Sequence, residues 1–169
     1  MKRMILALFV CAGVTACQEN ENISVDTTGN ELTYPLQQSS DYAISGTVNI
    51  REKCDGSSIV VVSLTGTEGD IEHPVHLHLG NISESGTDVA ALLNPVLGST
   101  GRSETLLKQL SDETTITYRQ LIDLNACIKV HLAASGPDRD IILAGGNIGA
   151  ASASDIAGGR AGVGLCKSE

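Results

Sequence analysis

The chain has 169 residues, of which 41% are hydrophobic but only 2% aromatic, and its formal net charge is −9. That acidic balance argues against nucleic acid as a partner, and a chain with no Trp and a single Phe, at position 9, offers no aromatic platform for stacking a base or a flat cofactor. The core has to be built from Val, Ile, Leu and Ala, and the length suits one domain.

The opening Met1-Lys2-Arg3-Met4 is basic. The apolar run from Ile5 through Gly13 is too short to span a bilayer as a helix, so residues 1–16 read as a cleavable export segment. Val14-Thr15-Ala16-Cys17 resembles the lipobox of bacterial lipoproteins, which implies that Cys17 carries a diacylglyceryl group and becomes the first residue of the mature chain. The alternative is an ordinary secretory signal cleaved nearby, leaving Cys17 as a free thiol. Gln18, where an Asp is absent, implies by the same resemblance onward transport to the outer membrane. Lys2 and Arg3 belong to the signal, so the remainder carries nine basic against twenty acidic residues. Residues 17–31 are polar apart from Ile23 and Val25 and read as a flexible tether, with Gln18-Glu19-Asn20-Glu21-Asn22 open to a surface-display reading as well.

The domain is expected over residues 32–150, and from Tyr42 its pattern turns β. Ala43-Ile44-Ser45-Gly46-Thr47-Val48-Asn49-Ile50 and Ile59-Val60-Val61-Val62-Ser63-Leu64-Thr65 flank Asp55-Gly56, a hairpin signal between β-branched runs. A Gly-rich turn leads into residues 73–80, where alternation sets Val75, Leu77 and Leu79 on one face and His76 and His78 on the other. Residues 88–96 and 103–110 are further strand candidates. The spacing of residues 117–124 predicts one or two helical turns, and β returns over residues 127–133 and 140–148. Residues 151–169, rich in Ala, Gly and Ser, read as a tail or irregular cover. About seven short strands, one short helix and an aliphatic core predict an all-β domain, an antiparallel Greek-key β-sandwich of immunoglobulin-like type. Besides Cys17, the exported part keeps Cys54, Cys127 and Cys166, for which one disulfide and one leftover thiol are expected in an oxidising compartment, with three pairings open.

Three of the four histidines fall within six residues, as His73-x-x-His76-x-His78. On a strand, residues two apart project from one face about 7 Å apart, a span that one metal ion bound by both imidazoles can bridge. A third ligand must come from another strand. In Ile128-Lys129-Val130-His131-Leu132 the apolar residues share the inward face, so His131 points the same way as Lys129, matching the parity of His76 and His78. A neutral trio of imidazoles suits copper or zinc. The competing reading is three surface histidines on the polar face of a half-buried sheet. His73 has the opposite parity and precedes a proline, which suits a residue supporting the ligands or a structural one.

Residues 44–149 resemble the chordin-type (CHRD) domain family. The landmarks are Ser45-Gly46-Thr47-Val48, Asp55-Gly56-Ser57, Leu64-Thr65-Gly66, His73-Pro74-Val75-His76-Leu77-His78, Gly101-x-Ser103-Glu104-Thr105, Thr117-Tyr118-x-x-Leu121, Val130-His131-Leu132 and Gly145-Gly146-Asn147-Ile148-Gly149. The resemblance implies the sandwich found in Cu/Zn superoxide dismutase and little settled biochemistry. The histidine stretch has the H-x-x-H-x-H spacing of the copper strand of that enzyme, Val130-His131 resembles its later copper histidine, and Gly158-Gly159-Arg160 loosely matches its anion-guiding segment. The departure is equally plain. Residues 79–130 contain no histidine, so the bridging ligand and the zinc subsite of a dismutase are missing.

Three functions follow as expectations. The first is a membrane-anchored binding module that holds copper or zinc through His76, His78 and His131 without catalysis. The second is a degenerate copper dismutase using the same ligands, with a carbonic-anhydrase-like zinc site as a variant. The third is a cell-surface domain that recognises an envelope protein or glycan, with the histidines as bystanders. A cupin is conceivable from H-x-H, but the spacing of Glu84 and His131 does not fit. No Ser-His-Asp order, phosphate-binding glycine loop or paired-carboxylate motif stands out, so the reading leans away from an enzyme.

Overall fold

The computed structural model describes residues 26–158, with side chains to residue 153. The export segment, Cys17, Cys166 and Arg160 lie outside the described residues. Eight strands run in chain order: β1 (Thr27–Gln38), β2 (Ser45–Lys53), β3 (Ser58–Thr65), β4 (Glu72–Leu79), β5 (Val89–Leu97), β6 (Arg102–Leu107), β7 (Asn125–His131) and β8 (Ile142–Ile148). A helix α1 (Tyr118–Asp123) precedes β7, a 3-10 turn (Pro137–Asp140) precedes β8, and a second helix α2 (Gly149–Gly158) follows it.

The hairpin read from Asp55-Gly56 is present. Gly56 takes φ +80, the Asp55 carboxylate accepts from the Ser57 amide at 3.0 Å and from the Ser57 hydroxyl, and β2 and β3 pair from Glu52↔Ser58 to Ser45↔Thr65. These two bonds, together with the Lys108 ammonium, hold the Asp55 carboxyl well below the usual carboxylate range. Alternation places Val48, Ile50, Val60, Val62 and Leu64 in the interior. Thr117 caps α1 reciprocally with Gln120, and the helix buries Tyr118 and Leu121 in the same core cluster as Ile50, Val60, Leu77 and Ile128.

The strands are all antiparallel, as expected, but they form one closed barrel in the order β1-β2-β3-β6-β5-β4-β7-β8 rather than a two-sheet sandwich. The Greek-key element survives in the run β3-β6-β5-β4, where the chain crosses over two strands to begin β4. What turns it into a barrel is that no strand is left with a sheet of its own. β3 pairs with β6, β4 with β7, and β1 reaches β8 through Gln37↔Gly145 and Gln38↔Ala144. Closure removes the open edges that a sandwich would have to protect.

The closing strand is the one the sequence pattern hides. Most of β1 is exposed, and only Leu36 is fully buried, so its first five residues sit in the segment read as tether and the rest carries no alternation. It is a strand because β2 supplies its ladder from Glu31↔Arg51 to Leu36↔Gly46. At the seam, a Cβ on Gly146 would lie 2.1 Å from the Pro35 carbonyl oxygen, so a side chain there would force β1 and β8 apart. Gly146→Ala is expected to cost about 1–3 kcal/mol by overpacking, seen as a lower urea midpoint with an unchanged slope. An unaltered midpoint would show that the seam yields without strain. Two further differences are local. The segment from residue 149 is helical rather than irregular, and Leu79, expected inward, ends its strand 40% exposed.

Candidate metal centre

β4 lies between β5 and β7, with His76 opposite Lys129 and His78 opposite Cys127. Val75 and Leu77, Ile128 and Val130 turn into the barrel and are buried, which sends His76, His78 and His131 to the outer wall. A bulge on the β8 side of β7, between Val130 and His131, alters the ladder where the third ring emerges. The parity read from the sequence brings the three rings together. Their centroids are 4.6 Å apart for His76 and His131, 5.8 Å for His76 and His78, and 6.3 Å for His78 and His131. One nitrogen from each lies within 4.8 Å of the others, and among the described residues no Cys, Asp, Glu or further His joins the group.

The outer wall is not the open polar face that alternation suggests. His78 and His131 are 7% and 9% exposed, Lys129 is buried, and only His76 stays half-open. Residues 80–88, linking β4 to β5, cover this face. Ile82 is buried there, its amide donates to the Asn147 side-chain carbonyl at 2.7 Å, and its side chain occupies the space a Cβ on Gly145 would need.

The two loops beside the rings fix their chemistry. The Nδ1–H of His78 donates to the Thr87 carbonyl at 2.8 Å, and the Nδ1–H of His131 donates to the Arg139 carbonyl at 2.8 Å. A carbonyl oxygen can only accept, so in both neutral rings the proton sits on Nδ1 and the lone pair on Nε2. Both Nε2 atoms are buried and have no hydrogen-bond partner. Such atoms are costly to bury unless something coordinates them. Carbonyl-held imidazoles presenting a bare nitrogen are also the arrangement by which proteins orient metal ligands.

The electrostatics agree. Burial first, then the neighbouring rings of His131 and His78, push His76 down to about 4. Burial is also the leading cause that lowers His78 and His131, with the Lys129 charge adding to both and their backbone carbonyls working the other way. The trio is therefore neutral at physiological pH, the protonation state a cation requires.

His73, the fourth histidine, is 4% exposed and has the inward parity, so it is a structural residue of the interior; its Nδ1 has no hydrogen-bond partner. Cys54 is exposed beside the β2–β3 turn and Cys127 is buried on β7, and the two are not bonded to each other. Thr87 and Arg139 escaped the sequence reading because their contribution is a backbone carbonyl, which any residue carries. The glycines at 80, 86 and 136, all at positive φ, were the available trace of the tight loops that deliver those carbonyls. No protein-family model matches the chain and no curated protein matches it, so the chordin-type resemblance rests on its sequence landmarks.

Proposed function

We propose that this chain is an exported, lipid-anchored domain of the cell envelope that holds one copper or zinc ion through His76, His78 and His131. The observation that carries the reading is the pair of buried, unpartnered Nε2 atoms on His78 and His131, in a trio whose three rings with His76 each bring one nitrogen within 4.8 Å of the others. Three neutral imidazoles with no carboxylate or thiolate suit these two metals. The anchor rests on the lipobox-like Val14-Thr15-Ala16-Cys17, and the domain belongs by its landmarks with chordin-type domains. A binding module is preferred to a dismutase-like enzyme because the trio stands alone among the described residues, without the bridging histidine that the enzyme uses.

Elemental analysis of the protein extracted with detergent from its own envelope tests this directly. Close to one copper or zinc per chain is expected, and none in a variant with all three histidines changed to alanine. The mass of the same sample should report a lipid on Cys17. A metal-free wild-type protein would leave an anchored domain whose task is recognition of an envelope protein or glycan.

A further inference from the structure

Residues 80–88 do not turn straight from β4 into its neighbour β5. They cross the outer face of β7 to reach β8 before coming back, because Ile82 is held there: its amide donates to the Asn147 side-chain carbonyl at 2.7 Å, and its Cδ1 lies 2.5 Å from where a Cβ on Gly145 would stand. Gly145 and Asn147 sit across the ladder from Lys129 and Cys127, and both of those are buried. Within residues 80–88 Ile82 alone is buried, while Ser83, Glu84, Ser85, Gly86 and Asp88 are exposed. The hydrogen bonds of Asn81 with Ser83 and Glu84 close the bend on itself. Five residues after Ile82, the Thr87 carbonyl meets Nδ1 of His78 at 2.8 Å, and the Thr87 hydroxyl accepts from Lys129 at 2.9 Å.

We infer that Ile82 and the notch left by Gly145 are a positioning pair for the metal centre: the isoleucine seats the loop on the barrel wall, and the seated loop brings the Thr87 carbonyl to His78, holding the proton on Nδ1 and leaving Nε2 for the ion. The inference rests on the metal-binding reading above. A segment this polar has little apolar surface of its own to bury, so releasing Ile82 returns backbone freedom that ion binding would have to remove again. Groups that orient a metal-bound imidazole are typically worth 10–100-fold in affinity. Here the orienting group is a backbone carbonyl, which no substitution at Thr87 deletes, so it is disturbed through the residue that seats its loop. His131 is the internal control, because its ring is held by the Arg139 carbonyl from the separate connection between β7 and β8.

The test compares wild type with Ile82→Ala, with Ile82→Val, a gentler lesion that removes Cδ1, and with Ile82→Leu, which keeps the volume. In metal-free, isotope-labelled protein in mildly alkaline solution, long-range proton–nitrogen NMR reads which ring nitrogen carries the proton. His78 should carry it on Nδ1 in wild type and Ile82→Leu and become a mixture of both tautomers in Ile82→Ala, with His131 unchanged throughout. Zn(II) affinity, measured by chelator competition, should fall about tenfold in Ile82→Ala, less in Ile82→Val, and stay near wild type in Ile82→Leu. A merely structural isoleucine would lower the melting temperature and leave tautomer and affinity alone, and that result would overturn the role while the centre stands. A tautomer shift with undiminished Zn(II) affinity would overturn it as well. If wild type binds no Zn(II), the metal-binding reading and this inference fall together.

Discussion

His131→Ala is expected to weaken Zn(II) and Cu(I) binding by at least about a hundredfold, because loss of a ligand has to exceed the 10–100-fold loss typical of removing a group that merely orients one. The change deletes one of the two buried Nε2 atoms and leaves the Arg139 carbonyl without its ring partner. His76 and His78 then remain as an i, i+2 pair on β4, a two-point contact found on many surfaces. Chelator competition measures the loss, and His73→Asn serves as the control that leaves affinity unchanged because residue 73 has the opposite parity. Equal affinities for wild type and His131→Ala would dissolve the proposed centre. The two β segments would then be neighbours without a shared ion.

The second large effect is in pH. An ordinary imidazole that titrates near 6.5 loses roughly sixteenfold in metal affinity between pH 6.5 and 5 through proton competition, and three of them lose roughly four-thousandfold. In this protein all three pKa values are lowered, with burial the first cause in each, and His76 is pushed down to about 4. Protons therefore begin to compete at lower pH than usual, and Zn(II) affinity should fall between pH 6.5 and 5 by far less than that product. A full fall of roughly four-thousandfold would show that the rings are as wet as free imidazole.

The metal-free domain should show the matching stability change. Unfolding releases the rings to titrate near 6.5, so between that pH and about 4 the unfolded chain binds more protons than the folded one, and stability falls as the solution is acidified. His76 is half-open, so solvent screening limits its share to about 1–2 kcal/mol. The effect appears as a melting temperature that drops through this window in wild type but drops less in His76→Leu.

How far the sequence led can be read from individual residues. Seven of the eight strands fall on segments whose pattern reads as β, the Asp55-Gly56 turn marks the β2–β3 hairpin, and the spacing of residues 117–124 marks α1. β1 carries no such pattern, because a strand that buries little besides Leu36 owes its conformation to its partner's hydrogen bonds rather than to its own side chains. Missing it also hid the closure, since a barrel differs from a sandwich in who pairs at the seam, and the seam is read by Gly146 and two glutamines. The trio was legible because side-chain period on a strand is local, and His76, His78 and His131 needed only parity. Its cover was not. The burial of Lys129 and the carbonyls of Thr87 and Arg139 depend on where two loops fold back, which no periodicity encodes.

The trio hangs on the outside of the barrel, and the aliphatic interior that holds the strands together contributes none of its atoms to it. Taking up or surrendering an ion therefore asks nothing of Val48, Leu77 or Ile148 beneath the wall. An ion held by the trio would thus bind a fold already formed, so the metal-free and the metal-loaded domain would share one interior.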